Sequence, residues 1–243
     1  MSVTSRRPVG SPPALRPATR ADLAGLPVDV APRLLGGVLE VNVGGELVAV
    51  RLTEVEAYHG RGTGPVPDPG SHARMGPTAR NATMWGEPGH LYVYLSHGIH
   101  SCVNVVCGPE GTAGGILLRA GEVVRGTDVA TRRRAGTRLP GPRHRDLARG
   151  PGRFGQAVGL RHPLHDGIDA ITSRPHAGAT AALLLPSDLL AGVVSGPRVG
   201  VAGVAGTSAF PWRFWLDGDP TVSSFRWGRG AREVSSEDGD GIG

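Results

Sequence analysis

The chain has 243 residues, 39% of them hydrophobic, which suits one domain with a single sizeable core. Its 39 glycines and 21 prolines exclude coiled coils and helical solenoids, and no apolar stretch approaches the ~20 residues that span a bilayer. The net charge of +5 favours an anionic partner, and because all 26 basic side chains are arginines, P-loop NTPases and Schiff-base enzymes are excluded.

Both ends of the chain lack hydrophobic periodicity and are predicted to be disordered tails. Residues 1–18 are rich in arginine, proline and serine, and residues 228–243 end in a run of glycine, serine and acidic side chains. The predicted folded domain therefore covers residues 19–227. No apolar segment of the secretory type follows the first methionine, so we expect a cytosolic protein without a membrane partner.

The folded part is predicted to begin with a short helix and a β-hairpin. Asp29 is the expected N-cap of the helix, which takes Pro32 into its first turn. The hairpin joins the alternating strand 39–43 to a longer apolar strand, 47–57, through a Gly-Gly turn. The glycine- and proline-rich loop 60–76 that follows is long enough to favour a binding role.

A second hairpin is predicted in the middle of the chain. Its strands, 91–95 and 99–106, are joined by a Ser-His-Gly turn that places His97 at the tip. The other predicted elements are a short helix near 78–85, a helix that starts near 150–153 and strands at 115–123, 181–185, 198–204 and 212–216. Because no internal repeat is visible, the predicted class is a mixed α+β domain built around an antiparallel sheet.

Two carboxylates and a tyrosine alternate where the strand 47–57 runs into the loop. Glu54, Glu56 and Tyr58 therefore share one face, and Glu56, at the strand end beside an aromatic ring, is a candidate general base. An exposed acidic strand end explains the same pattern without any chemistry. The pair also suggests a two-carboxylate glycoside hydrolase, but neighbours on one strand lie side by side and do not face each other across a scissile bond.

All three tyrosines of the chain fall near two strand ends. Tyr92 and Tyr94 share a face of the second hairpin, and Tyr58 and His72 lie beside them if both hairpins belong to one sheet. A pocket lined with these rings suits a flat, electron-poor or cationic ligand such as a nucleobase. Ordinary packing of tyrosines in a core is the alternative.

Histidines and cysteines cluster on the second hairpin, as they do in some zinc sites. The candidate ligands are His97, His100, Cys102 and Cys107. Strand alternation puts Cys107 on the face opposite to His100 and Cys102, and His97 belongs to the turn, so tetrahedral ligation is disfavoured. We expect no metal and no cofactor, and we interpret both cysteines as small core residues.

A basic tract at residues 125–153 is the plainest signal for nucleic acid. It holds nine arginines against two aspartates, and clustered cations neutralise phosphates irrespective of base sequence. The predicted phosphate contacts are Arg132, Arg133, Arg134 and Arg153. Arg153 lies at a helix N-terminus, whose free backbone N–H groups favour phosphate. A solvated basic loop, or the codon usage of a GC-rich genome, explains the arginines equally well.

A series of short motifs occurs in order over residues 19–227. They are Thr53-Glu54-Val55-Glu56-Ala57-Tyr58, Ser71-His72-Ala73, Pro77-Thr78-Ala79-Arg80-Asn81, Pro88-Gly89-His90-Leu91-Tyr92-Val93-Tyr94, Asn104, Leu117-Leu118-Arg119-Ala120, Gly150-Pro151-Gly152-Arg153-Phe154-Gly155-Gln156-Ala157 and Arg198-Val199-Gly200-Val201. The ordered series identifies a protein family far more specifically than any single motif does. The chain resembles the alkyladenine (3-methyladenine, methylpurine) DNA glycosylase family.

The resemblance implies a single α+β domain around a curved antiparallel sheet with a protruding β-hairpin. It also implies an enzyme that flips an alkylated or deaminated purine, such as 3-methyladenine, out of duplex DNA and hydrolyses its N-glycosidic bond. We expect such an enzyme to bind damaged double-stranded DNA as a monomer. Without lysine it is predicted to be monofunctional, since strand cleavage usually runs through an amine Schiff base. A non-catalytic nucleic-acid-binding module of the same fold is the alternative.

The resemblance also assigns a catalytic set and a wedge by motif position. Glu56 matches the family's general base, and Arg119 and the backbone carbonyl of Val199 match the groups that hold the attacking water. At the hairpin tip, where the family often inserts a tyrosine into the gap left by the flipped nucleotide, this chain has His97, with Ile99 beside it. Histidine is flat and can stack, but it is smaller than tyrosine.

The resemblance assigns the residues of the base-binding pocket in the same way. Tyr58, His72 and Tyr94 match the side chains that sandwich the flipped base. Asn104 matches the residue that disfavours the exocyclic amine of guanine. This assignment agrees with the chemistry of the residues, because a cationic alkylpurine is a good leaving group and needs one base and a π-rich pocket, without metal or lysine.

Overall fold

Eleven strands form a single sheet within residues 14–64, 66–136 and 141–232, which the computed structural model of the protein describes. In chain order they are β1 (Leu15–Pro17), β2 (Val38–Val43), β3 (Glu46–His59), β4 (His90–Ser96), β5 (His100–Val106), β6 (Gly114–Arg125), β7 (Ala148–Arg149), β8 (Ile168–Asp169), β9 (Ala179–Pro186), β10 (Val193–Gly196) and β11 (Arg213–Leu216). The helices of the same ranges are α1 (Pro27–Leu34), α2 (Thr127–Ala135) and α3 (Pro151–Val158), with short 3₁₀ helices at Arg20–Leu23, Ala82–Trp85, His144–Asp146 and Gly203–Gly206.

Neighbouring strands of the sheet run antiparallel, in the order β1-β9-β2-β3-β6-β5-β4-β8. β3, the longest strand with 14 residues, carries β6 along one edge and first β2, then β11, along the other. β7 pairs with β6, and β10 pairs with β11. Bulges between β3 and β6 bend the sheet, and the predicted α+β class with a curved antiparallel sheet is confirmed.

The structure contains both predicted hairpins. β2 and β3 are joined by Gly44 and Gly45, whose φ angles of 60° and 87° suit glycine. β5 pairs with β6 only at residues 104–106, so the outer half of the hairpin β4–β5 extends beyond the sheet. The last pair of this hairpin is Ser96 with His100, so Ile99 lies in the loop and not, as predicted, in the strand.

The first helix begins earlier than the sequence pattern suggested. α1 takes Leu26 as its N-cap, without a side-chain hydrogen bond, and Pro27 as its first residue. The prediction of Asp29 as N-cap is wrong because proline has the φ angle that starts a helix and no N–H group that needs a cap. Asp29 lies in the first turn instead, where its charge interacts favourably with the helix dipole.

The folded part extends into both predicted tails. β1 pairs with β9 and Ala18 is buried, so residues 15–18 are wrongly assigned to the N-terminal tail. Ala231 is buried as well, so the C-terminal tail does not begin at residue 228. Composition misses these segments because their contacts are with elements distant in sequence. Residues 1–13 and 233–243, on which the rest of the tail prediction falls, lie outside the described residues.

The predicted strand at residues 198–204 is wrong. This segment forms a turn that leads into the 3₁₀ helix Gly203–Gly206. Gly200 and Gly203 have φ angles of 70° and 62°, which a regular strand excludes. Valine and small residues alternate here as they do in a strand, but the glycines allow the backbone to fold back on itself.

The main core lies between the sheet and the three α-helices, and it includes Phe154 of α3 and the thiol of Cys107. A smaller cluster lies on the opposite face of the hairpin β4–β5. Its members are Ala73, Met84, Tyr92, Val106 and Ala113. Among the described residues, no helix combines the length and the apolar character that a bilayer crossing requires. The smaller cluster borders the candidate site, because Met84 and Tyr92 also line a cavity.

Candidate active site

A cavity of about 480 Å³ opens between the hairpin β4–β5, the loop 60–76 and the segment 200–202. Tyr58, His72 and Tyr94 line it together, and the ring of His72 stands edge-on to that of Tyr94 with 4.6 Å between centroids. The other lining residues are Pro69, Gly70, Arg74, Met84, Tyr92, Asn104, Val201 and Ala202. The structure thus brings together the four side chains predicted to form a base pocket. Met84 and Ala202 carried no sequence signal for this site.

Glu56 lies directly behind Tyr58 and is fully buried. Its Oε2 accepts a hydrogen bond from the Tyr58 hydroxyl at 2.8 Å, and its Oε1 accepts one from the backbone N–H of Val199 at 2.7 Å. The guanidinium of Arg119 lies 3.4 Å from Oε1. The predicted catalytic set therefore meets at one point, with the N–H of Val199, and not its carbonyl, in contact with the carboxylate. An exposed acidic strand end is excluded.

Two tyrosines of the cavity are held in their neutral form. Burial, followed by the charge of the Glu56 carboxylate, raises the pKa of Tyr58 well above its ordinary value of 10. Burial likewise raises the pKa of Tyr94. Both phenols are therefore protonated at neutral pH, so Tyr58 is a donor toward Glu56 and both rings present uncharged faces to the cavity.

Glu54 is the centre of a buried ion network beside Glu56. Its carboxylate accepts from Arg119 Nε at 3.1 Å and from Arg213 Nε at 2.7 Å, and the backbone N–H of Ser223 donates to it at 2.8 Å. The carboxylate is fully buried, and both guanidinium groups are less than one-tenth exposed. Arg119 thus links both carboxylates of β3. The sequence placed Glu54 on the correct face but gave no sign of Arg213 or Ser223.

A second buried ion pair fixes the loop 60–76. Arg198, which is fully buried, binds the two oxygens of Asp68 at 2.7 and 2.8 Å. Its guanidinium also lies over the ring of Tyr58, 4.5 Å from the centroid. Asp68 accepts further bonds from neighbouring backbone N–H groups. The pair therefore holds one wall of the cavity against the tyrosine that contacts Glu56.

Asn104 of β5 lines the cavity beside the tyrosines. Its Nδ2 donates to the carbonyl oxygen of Tyr92 at 3.1 Å, and the residue is 5% exposed. This bond fixes the plane of the amide. Oδ1 has no hydrogen-bond donor among the described residues, so it is the amide atom that remains for a ligand in the cavity.

The comparison with known protein families agrees with this geometry. The family model for methylpurine-DNA glycosylase matches residues 22–220. The chain belongs to the methylpurine-DNA glycosylase family. The resemblance inferred from the ordered sequence motifs is thereby confirmed, and DNA glycosylase is the class of enzyme that this membership indicates.

Bacterial relatives of the family cover most of the chain. A protein of Leifsonia xyli subsp. xyli is 50% identical over 202 residues, which are 82% of this chain and 88% of that protein. A protein of Nocardia farcinica is 51% identical over 202 residues, covering 82% of this chain and 87% of its own length. One of Streptomyces avermitilis is 45% identical over 217 residues, with coverage of 88% and 94%. Each is named "Putative 3-methyladenine DNA glycosylase".

The tip of the hairpin β4–β5 carries His97, the residue predicted to stand where the family often has a tyrosine. This residue is exposed, has a φ angle of 50°, and places Nδ1 3.0 Å from the hydroxyl oxygen of Ser96. Ile99, which is 73% exposed, is the other large side chain of the loop. Because the same hairpin carries Tyr94 and Asn104, tip and cavity are held on one element. Insertion of the tip into DNA stays a prediction.

The four arginines predicted to bind phosphate differ in whether they have partners within the protein. Arg132 forms ion pairs with Glu46 at 2.6 Å and Asp128 at 3.0 Å. Arg133 and Arg134 donate to main-chain carbonyl oxygens at 2.9 Å. These three side chains therefore have partners inside the protein, which basic composition does not reveal. Arg153, at the start of α3, is exposed and has no acidic partner among the described residues, so its phosphate contact stays a prediction.

The two cysteines occupy different surroundings. Cys102 pairs with Tyr94 in the ladder of the hairpin β4–β5, whereas Cys107 is fully buried in the main core. Burial raises the pKa of both thiols. Within the part of the chain that the structure describes, no three side chains of His, Cys, Asp or Glu are grouped as metal ligands.

Neutralising Glu54 is expected to destabilise the fold strongly. In Glu54→Gln, Arg119 and Arg213 remain buried while one of the two compensating charges is lost, so the free energy of unfolding should fall by about 3 kcal/mol. Urea denaturation measures this loss. The matched control is Glu122→Gln, whose carboxylate is 38% exposed and pairs with Arg51 at the surface; its cost should stay below about 1 kcal/mol. Equal costs would show that the Glu54 network contributes no more than a surface pair.

His72 is expected to titrate below the ordinary histidine pKa of 6.5. Partial burial of its ring, and then the charges of Arg80 and Arg74, lower its pKa. Because the unfolded chain binds this proton more tightly, His72 weakens the fold as the pH falls below 6.5. An NMR titration of the ring measures the pKa directly. Arg80→Ala should raise it, though not to 6.5, since burial remains; a midpoint at or above 6.5 in the wild type would contradict the prediction.

Proposed function

We propose that the protein is a monofunctional DNA glycosylase that flips alkylated or deaminated purines, 3-methyladenine among them, out of duplex DNA and hydrolyses the N-glycosidic bond. One observation carries this proposal: the buried carboxylate of Glu56 meets Arg119 and Val199 directly behind an aromatic cavity. The names of the bacterial relatives support the same activity. A module that only binds nucleic acid has no need of a buried carboxylate in this position.

The cavity suits a damaged purine by its shape and charge. A base placed between the faces of Tyr58, His72 and Tyr94 stacks on rings that are neutral at neutral pH. A cationic alkylpurine is attracted to these π faces more strongly than a neutral undamaged base is. Because Nδ2 of Asn104 donates to the Tyr92 carbonyl oxygen, Oδ1 is the atom left as an acceptor for the base, and by its motif position Asn104 is the residue that disfavours the exocyclic amine of guanine.

Hydrolysis needs one proton acceptor and one good leaving group. Water attacks the anomeric carbon of the flipped nucleotide, the C1′–N bond breaks, and the bonding electron pair passes to the purine. A cationic alkylpurine then leaves as a neutral base, whereas a neutral deaminated purine leaves as an anion that takes a proton from solvent. The carboxylate of Glu56 takes the proton that the water loses. Arg119 holds Glu56 and offers a further donor to the water. Tyr58 orients the second carboxylate oxygen through its hydroxyl group.

The reaction is expected to stop at the abasic site. A glycosylase that also cuts the strand usually forms a Schiff base with a side-chain amine, and this chain has no lysine. All the groups invoked here come from one chain, so the site is complete in a monomer. An activity on chromosomal DNA also places the protein in the compartment that holds the DNA, which in bacteria is the cytosol.

The decisive experiment is base release from duplex DNA. We expect the wild type to release free base from DNA that carries 3-methyladenine or hypoxanthine, as measured by chromatography, and to leave the strand uncut until alkali is added. Glu56→Gln should lower the rate by about 10²- to 10⁴-fold, because water is a poor nucleophile without a positioned base, while lesion binding survives.

Glu122→Gln on β6 is the matched control and should release base at the wild-type rate, because this carboxylate lies at the surface beside Arg51. Lesion binding without base release by the wild type would support a non-catalytic module instead. Full activity of Glu56→Gln would show that another group is the base. Strand cleavage without alkali, trapped by borohydride, would contradict the monofunctional assignment.

His97 is expected to fill the gap left by the flipped nucleotide. Opening a base pair costs a few kcal/mol, and a planar ring inserted in the gap recovers part of this cost. His97→Ala should slow excision from duplex DNA by roughly tenfold, while excision from single-stranded DNA, which has no gap to fill, changes little. His97→Tyr should retain or raise the duplex rate. Equal losses on both substrates would point to a role of His97 in the pocket or in folding, and Ile99 would then be tested as the wedge.

A further inference from the structure

An exposed segment of mixed aromatic and basic side chains follows β11. Residues 223–232, here called the C-terminal strap, include the rings of Phe225 and Trp227, each 39% exposed and packed edge to face with 4.7 Å between centroids. Its three arginines are exposed, and its sequence holds no acidic residue. Among the described residues no carboxylate forms an ion pair with them.

The strap is fixed at its start to the buried network of β3. The backbone N–H of Ser223 donates to Glu54 at 2.8 Å, and its hydroxyl group contacts the same carboxylate at 3.0 Å. Arg119 Nη2 lies 3.3 Å from this hydroxyl oxygen. The strap therefore begins at a residue that is bound to Glu54 and lies in contact with Arg119, the side chain that links the two carboxylates.

Further along, the strap lies against the segment that borders the cavity. The N–H groups of Gly200 and Gly203 donate to the carbonyl oxygens of Arg226 and Arg229 at 2.9 and 3.0 Å. A Cβ atom on Gly228 would come within 2.0 Å of the carbonyl oxygen of Val201, so the two backbones are in direct contact. These contacts hold the exposed side chains in a defined place beside the cavity.

The side chain of Arg226 lies beside the turn that follows Val199. Its Nε lies 3.6 Å from the position that a Cβ atom on Gly200 would take. Gly200 directly follows Val199, whose N–H binds Glu56, and Val201 lines the cavity. The Nε of Arg226 thus lies beside Gly200, the residue directly before the cavity-lining Val201.

We propose that the C-terminal strap binds the lesion-bearing DNA strand beside the flipped nucleotide. Arg226 and Arg229 contact phosphates, and Trp227 stacks on the exposed face of a neighbouring nucleotide. Exposed guanidinium groups neutralise phosphate, and aromatic side chains between them provide a sequence-independent stacking surface. This inference rests on the proposed function, because a nucleotide whose base fills the cavity must continue along the strand past its rim, and the strap lies against the rim segment that contains Val201 and Ala202.

The salt dependence of binding to undamaged duplex DNA tests the phosphate contacts. With the full chain, Arg226→Ala/Arg229→Ala should lower the affinity and reduce the slope of log K against log salt by about two units. The matched control, Arg16→Ala/Arg33→Ala, removes the same charge from β1 and α1, outside the strap, and should keep the wild-type slope. An unchanged slope in the strap variant, or an equal change in the control, would overturn the proposal.

Substitutions of Trp227 test the stacking contact. Trp227→Ala should weaken binding to duplex DNA that carries hypoxanthine by at least about fivefold, and Trp227→Phe should restore most of the affinity. Unchanged binding by Trp227→Ala overturns this part of the proposal. A lowered midpoint of thermal unfolding in the strap variants also counts against it, because the loss of affinity would then follow from damage to the fold.

The experiments can refute the strap proposal and the proposed function independently of each other. Affinity for undamaged duplex DNA does not depend on hydrolysis of a glycosidic bond. A wild type that releases no base, with a reduced salt slope in the double variant, would refute the glycosylase and retain the strap as a DNA contact. A wild type that releases base, with an unchanged slope in the double variant, would refute the strap alone.

Discussion

The burial of two carboxylates on one face of β3 is the constraint on which the site and the sheet both depend. Glu54 and Glu56 have no contact with solvent, so cations and N–H donors from other elements must replace the lost hydration. Arg119 of β6 reaches both carboxylates, and Arg213 of β11 reaches Glu54. The strands on the two edges of β3 therefore have registers that deliver guanidinium groups to its carboxylates, and sheet assembly positions the proposed general base.

Arginine suits these buried positions because one guanidinium group forms several directed bonds. Arg198 binds both oxygens of Asp68, donates to the carbonyl oxygens of Ala57 and Ala205, and lies over the ring of Tyr58. A lysine ammonium is a compact point charge without a planar face and cannot replace this set of contacts. The contacts of the buried arginines therefore give one physical reason for the use of arginine and not lysine. The codon usage of a GC-rich genome explains the same composition equally well. The same composition leaves no side-chain amine for chemistry at the site.

Local patterns predicted the elements that depend on neighbouring residues. The two hairpins, the strand β6 and the helix α3 follow from alternation, glycine turns and helical spacing, and the structure contains them. The segment after Arg198 shows why other predictions failed. Its alternation is typical of a strand, but its glycines bind Arg226 and Arg229, which are distant in sequence and of which Arg229 lies in the predicted tail. In the site, the motifs predicted that Glu56 lies beside the aromatic rings of the cavity, and the structure brings them together. They missed the bond of Ser223 to Glu54, which joins residues 169 apart in sequence.

The charges around the cavity divide into two groups. Inside, burial keeps the rings of Tyr58, His72 and Tyr94 neutral at neutral pH, so the cationic purine that we propose as substrate meets no opposing ring charge. Outside, Arg153 and the C-terminal strap present cations to solvent, where we propose that phosphates bind. The density of arginines in the sequence does not identify such groups, because Arg133 donates to main-chain carbonyl oxygens within the fold. Whether a cation is available to DNA is therefore decided by the acceptors that surround it in the folded chain.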